Sequence, residues 1–540
     1  MNSNNPISSA IMVGGVVIFA MIIMMEVLIG HGNNLGTLAR FIAIGSFILG
    51  MMSGRMGLIW LMVNFAYGDL LKRVMVIFGN VNILDVTYVL AISPLTLSGV
   101  VVHYFIAMIF NKVEGGRNTW IVFFVCGVAT AGSAAYILLI QKMGAFASLK
   151  QLAHQSVYFM VPWVIYVAFP RGQGLREYLR LTVFLLVPVA LYAIMQGIWG
   201  LNQFEIDYLM TGLSVEANYL KEGVTHAFST MSNAKSMGIV MALACGLVLY
   251  LSRSTSDDGK VGFGRLTVIL LIMLFLLADF YCMKRASWVV AVVVFVGFFS
   301  FGSKVRTGLL YGSTALVLGL LILFSGPILK NWDKVIAGAA KIFPMESQRA
   351  YQSFRVSTLS QRLVGFNNLI TNPDMWSLFG ISDETKEKSG KVSLATGRNF
   401  DKLSATFSHD ALSTAIMDYG VIPVALMGYI GLRLLIGMHR LPFRAGSPAR
   451  KKRFVVLCSC IFACILLLFV GSWPYPVPGF IFIIIAMTLL AAEEEKLIAK
   501  KAKEEAAREA GEGEPEGRPT LPPGGYRPVF GKQQLSPSAN

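Results

Sequence analysis

The sequence predicts an all-α polytopic membrane protein with about twelve to fourteen transmembrane helices and one large, partly helical external loop. Three observations predict it. Hydrophobic residues make up 55% of the chain and charged residues only 14%, with a mean hydropathy of +0.63, outside the range of soluble domains. Runs of about 20 apolar residues recur along the chain, each long enough to cross a ~30 Å hydrocarbon core as a helix. One polar interruption, 326–410, is much longer than any other gap between apolar runs, and a long structured connection tends to carry function.

The first span covers about 10–30, with Glu26 near its outer end. The N-terminal MNSNNPISSA has no basic region and leads into a full-length span, which reads as a retained helix rather than a cleaved signal. Two shorter apolar pieces follow, 41–54 and 56–68, broken at Arg55. They form either a tight hairpin or one kinked helix. The run 83–110 is interrupted by Pro94 and carries the same ambiguity. Further spans are expected at 119–140, 157–170, 179–199, 237–251, 266–282, 288–301 and 309–324. After the large loop come 411–432, 454–470 and 479–492.

The net charge of +16 does not indicate nucleic acid. Lysines and arginines fall in short clusters between apolar runs, as topology anchors facing anionic headgroups do. The six cysteines lie in or at the ends of apolar runs and read as small buried hydrophobes. The strongest basic cluster, HRLPFRAGSPARKKR, is expected in the cytoplasm, together with the tail EEEKLIAKKAKEEAAREA. Counting back places 201–234, the 284–287 corner and 326–408 outside. Four parts result: N-terminal helices 1–325, the loop 326–410, C-terminal helices 411–492, and a tail 493–540 that is charged and then Pro/Gly-rich. No internal repeat is evident, which weighs against an inverted-repeat transporter.

Few residues are suited to chemistry in such a chain. Arg285, in ADFYCMKRASWVV, stands where one span reaches the outer face and the next turns back. It reads either as a snorkelling anchor or as a planar fork gripping phosphate oxygens. Asp279, six residues earlier, either orients it or is structural. The loop also holds Lys330, Lys334, Lys341 and Arg349, and its Arg355 and Arg362 are seven apart and would share one helix face. A solvated basic face explains the same spacing. His409 is the only histidine of the loop, and neutral imidazole is a natural base for a sugar hydroxyl near neutral pH. His226, also external, is the reserve candidate.

The corner KRASW, the segment RLVGFNNLITNPDMWSLFGI and the motif SHDALSTAIMDYGVIP together resemble the O-antigen ligase and O-antigen polymerase superfamily. His409 and Gly420 bracket ten residues, and RVSTL (355–359) looks like the ligases' Arg-x-x-x-Leu element. FSTMSNAKSMG is similar to the family segment that often contains an asparagine, here Asn233. Asp410 stands where Asn is common, and Pro423 where a small residue is usual. Either Arg355 or Arg362 matches the family's loop arginine.

The resemblance implies a multi-pass protein of the bacterial inner membrane with its active site facing the periplasm and a cytoplasmic C-terminus. It implies transfer of a glycan from undecaprenyl diphosphate to an acceptor hydroxyl. His409 would be the catalytic base, while Arg285, Arg355 and Arg362 bind diphosphate. Asp279, Asn233, Asp410 and Gly420 would support them. No carboxylate cluster suggests a metal, and no cofactor is implied. The expected partners are the lipid bilayer, the lipid-linked glycan and an acceptor glycan or lipid A core; the charge and exposure of the tail suit it to dock a chain-length regulator or a synthase. Repeat-unit polymerase is the first expectation and ligase the alternative. A lipid-linked oligosaccharide flippase predicts charges deep in several spans, and a scaffold subunit predicts no effect of losing His409.

Overall fold

In the computed structural model, the described residues are 34–78, 83–110, 117–135, 138, 156–170, 174–211, 214, 226–252, 262–324, 378, 416, 420–444, 448–470 and 477–509. Nearly all of them are helical. Extended pairing among them is limited to one isolated bridge, Ser252 with Phe263. The chain divides into two units, Met1–Glu495 and Lys496–Asn540.

The N-terminal region contains α1 (Asn34–Met52), α2 (Gly54–Phe78) and α3 (Ile83–Ile109). The Trp60 indole N–H donates to Ser46 Oγ at 2.7 Å. In a straight helix these residues would stand about 21 Å apart along the axis. The chain therefore turns back at Ser53, and the two short apolar pieces form a hairpin. Glycines let α1 and α3 approach closely. A Cβ on Gly99 would collide with backbone atoms of Phe47 and Met51, and one on Gly50 with those of Thr96 and Val100. Small residues serve this purpose where apolar helices must touch. Pro94 sits inside α3 without ending it.

Next come α4 (Arg117–Ala135), a 3₁₀ turn (Ser156–Met160) and α5 (Val161–Ala168). A crossing helix was expected at 157–170. Here the 3₁₀ turn and α5 together reach only about 22 Å, short of a ~30 Å hydrocarbon core. Pro162 lies in the first turn of α5, where a missing N–H costs nothing, and Trp163, Val164 and Ile165 are wholly buried.

The remaining helices are α6 (Leu175–Trp199), α7 (Gln203–Met210), α8 (Ala234–Tyr250), α9 (Arg265–Cys282), α10 (Arg285–Ser300), α11 (Lys304–Leu323), α12 (Val421–Arg444), α13 (Pro448–Val470) and α14 (Val477–Glu509). Helix α8 is buried around almost its whole circumference, as an all-apolar central helix should be. It packs among α6, α9, α10 and α13. Helix α9 buries Val268, Leu271, Phe275 and Ala278 but leaves Leu266, Ile269, Leu270 and Met273 about two-thirds exposed. An outer face this apolar is matched to hydrocarbon rather than water. Three helices, Asp85–Ile109, Leu175–Trp199 and Arg265–Cys282, are long and apolar enough to cross a membrane.

Polar side chains gather at the two ends of this bundle. At one, the buried Glu495 carboxylate meets Arg453 at 3.3 Å, Arg176 at 3.5 Å and Arg450 at 3.9 Å. The other holds the segment described next.

Candidate functional site

The segment 226–233 lies between α7 and the start of α8, and its backbone is held from three sides. Thr230 Oγ1 donates to the Ala66 carbonyl at 2.5 Å, and Ser229 Oγ donates to that of Val189 at 2.6 Å. Gln196 Oε1 accepts from Phe228 N (3.0 Å) and Ser229 N (2.7 Å). Arg73 Nη1 donates to the Ser229 carbonyl at 2.6 Å, and Nη2 donates to that of Met231. Ala227 N donates to the Tyr281 carbonyl at 3.2 Å, tying the segment to the end of α9.

Behind these anchors stands Glu205, which is fully buried. It accepts from the Tyr192 hydroxyl at 2.8 Å and from Gln196 Nε2, and it lies 3.8 Å from Arg73 Nη1. Local sequence puts it there, because Glu205 and Asn202 form the capping box that opens α7. Arg73 is 1% exposed, with its guanidinium 4.5 Å from the centre of the Phe228 ring. A charge so deep persists only when paired and hydrogen-bonded. Arg73 meets that condition through one carboxylate and two carbonyls.

The adjoining corner joins α9 to α10. Met283 caps α9 with φ of 51°, and Lys284 is extended before α10 begins at Arg285. The Ser287 amide and hydroxyl both return to the Lys284 carbonyl, at 3.1 and 2.7 Å. Met283 and Ser229 (φ 50°) are the two non-glycine residues with positive φ among those described. Met283 lies in this corner and Ser229 in the segment tied to it by the Ala227–Tyr281 hydrogen bond. Such backbone persists only where its surroundings over-determine it, and it concentrates at functional sites. Half-buried His226 sits in the same place. Burial, with the Lys284 charge adding, pushes its imidazole down to about 4, so it is neutral at physiological pH. Lys284 and Arg285 stand together at the amino end of a sixteen-residue helix, where backbone N–H groups favour an anion.

Four residues expected to matter therefore reach one end of the bundle: His226, Asn233, Asp279 and Arg285. Asn233 is the N-cap of α8, accepting from Ser236 N at 2.8 Å. Asp279 is 3% exposed and packs beside Gly238 and Ser287. Gly420 opens α12 with φ of 84°, a conformation that excludes a side chain without strain. Its N–H donates to the Ile416 carbonyl at 2.9 Å. His409, Asp410, Arg355 and Arg362 lie outside the described residues. No group of three metal-ligating side chains occurs among the described residues.

Sequence reading missed Arg73, Gln196 and Glu205. A signal existed for the first: Asp69, Lys72 and Arg73 interrupt an apolar stretch that continues to Phe78. No protein-family model matches this sequence, and no curated protein matches it either.

Proposed function

We propose that this protein is an inner-membrane glycosyltransferase that moves a glycan from undecaprenyl diphosphate to an acceptor hydroxyl on the periplasmic face. Its acceptor, on this reading, is another repeat-unit glycan, which makes it a polysaccharide polymerase. The observation carrying the reading is the corner itself. A neutral imidazole, a lysine and an arginine-headed helix converge there, held by an over-determined backbone, beside apolar helices suited to a polyprenyl chain. The three motifs in their order along the chain support the same reading.

The chemistry asked of the site is simple. The acceptor oxygen forms a bond to the anomeric carbon while the bond from that carbon to the diphosphate oxygen breaks. The diphosphate leaves with the electron pair, and the hydroxyl proton passes to His409. Lys284 and Arg285, joined by Arg355 or Arg362, stabilise the charge growing on the leaving group, as positive clamps do in phosphoryl chemistry. His226, being neutral, adds no competing charge beside Lys284. Each CH₂ of the polyprenyl chain kept in lipid contributes ~0.8 kcal/mol to holding the donor. In this orientation the Glu495 end faces the cytoplasm, where basic clusters belong, and the loop 326–410 lies in the periplasm.

The test is a gel of surface and lipid-linked glycans from cells carrying His409→Ala, beside a deletion and the wild type. Loss of long polymer, with single repeat units still on the acceptor, is the expected result. Long polymer accumulating on the undecaprenyl carrier would make the protein a ligase instead. Glycans equal to wild type, while the deletion differs, would sink the catalytic role of His409 and favour a transporter or scaffold.

A further inference from the structure

A buried ion pair is poor evidence of stability, because apolar residues of similar volume often stabilise as well. The Arg73 pair therefore calls for another explanation. The donor groups of Arg73 go to the Ser229 and Met231 carbonyls, two residues apart in one short segment. Between them the Thr230 hydroxyl donates to the Ala66 carbonyl, on the same helix as Arg73. Ser229 takes its left-handed conformation within this arrangement. Gln196 acts in both directions, donating to Glu205 and accepting from the Phe228 and Ser229 amides. The charge on Glu205 thereby bears on the same segment by two routes, through Arg73 and through Gln196. The segment then runs, by way of the Ala227–Tyr281 hydrogen bond, into the corner that holds His226 and Lys284.

We infer that Arg73 is a positioning residue: with Glu205 and Gln196 it sets the shape of segment 226–233 and so the place of His226 beside Lys284. The inference rests on reading that corner as the end of the site that receives the donor's diphosphate. Lysine cannot substitute for the arginine. Its single ammonium keeps the charge next to Glu205 but lacks the planar fork that spans two carbonyls.

The experiment uses the full-length protein in lipid nanodiscs, with undecaprenyl diphosphate as the probe. Arg73→Lys and Lys284→Gln are each expected to weaken binding roughly tenfold, about the worth of one charge-assisted hydrogen bond. The double variant is expected to bind no more than a few-fold worse than either single, because residues acting through one structure are not additive. A hundredfold multiplicative loss, or wild-type binding by Arg73→Lys, would overturn the inference. A second readout follows carbethoxylation of His226 by peptide mass spectrometry. If Arg73 sets the position of His226, Arg73→Lys changes that rate several-fold while the unfolding temperature stays near wild type. An unchanged rate refutes it.

This second readout separates the two failures. A wild-type protein that does not bind undecaprenyl diphosphate removes the donor reading, and the carbethoxylation rate then decides the role of Arg73 alone. If Arg73→Lys does not accumulate, Thr230→Val loosens the same segment by a single hydrogen bond. The same non-additivity with Lys284→Gln is expected, at a smaller amplitude, and full additivity counts against the inference.

Discussion

Ser229 and His226 lie three residues apart and illustrate two ways of constraining a residue. Ser229 is wholly buried at φ 50°, held by its amide, carbonyl and hydroxyl at once. His226 is held by its surroundings, in which burial and the Lys284 charge both disfavour a proton. The linkage has a definite sign. An imidazole whose pKa is lowered on folding is protonated more readily in the unfolded chain, where it titrates near 6.5. Its contribution to stability is complete above about pH 6.5 and is lost as pH falls toward 4. Thermal unfolding in detergent at pH 7 and pH 4.5 should therefore show a larger loss for wild type than for His226→Gln. Equal losses would mean that His226 is not held neutral. Asn233 entered the sequence reading through the resemblance alone, although its cap is made locally, with an amide three residues on. The pairing of Arg73 with Met231 spans 158 positions and leaves no trace in a local window.

At the scale of elements, helix contacts in this molecule depend on where side chains are absent. Gly99 in α3 faces the backbone of α1, whereas Gly312 in α11 has nothing within 4 Å of a built Cβ. Helix propensity alone favours alanine over glycine by about 1 kcal/mol at either position. Packing should reverse the sign at only one of them. Gly99→Ala is expected to destabilise by about 1–3 kcal/mol, the usual cost of overpacking against atoms that cannot yield, while Gly312→Ala should be neutral or stabilising. Unfolding in denaturing detergent would measure both, and similar behaviour of the pair would contradict the close α1–α3 crossing. The same crossing explains why the break near Arg55 is a hairpin. In sequence, a kinked helix and a hairpin share one hydropathy profile, and only a partner helix distinguishes them.

For the whole molecule, the separation of polar groups to two ends makes the proposed orientation testable. Met283 is 63% exposed at the corner, and Lys452 is exposed near the Glu495 cluster. The six native cysteines are buried and should react slowly. An impermeant maleimide applied to spheroplasts is expected to label Met283→Cys at once and Lys452→Cys only after the membrane is opened. The reverse pattern would invert the orientation, and immediate labelling of both would place the two ends on the same side.

The apolar, helical character of this protein was determined by sequence alone, because hydropathy adds along a window and needs no partner. Helix α9, with apolar residues on every face, could be read almost to its ends. Tertiary structure decided the rest. It made a short buried piece of the apolar run at 157–170, which by composition resembles any span. It set Asp279 against Gly238 and Ser287, and it brought Arg73, Gln196 and Glu205 beneath a distant segment. The physical reason is common to these cases. A buried polar group is tolerated only where its partner stands, and here the partners come from helices far apart in the chain, which meet only after the apolar faces have packed.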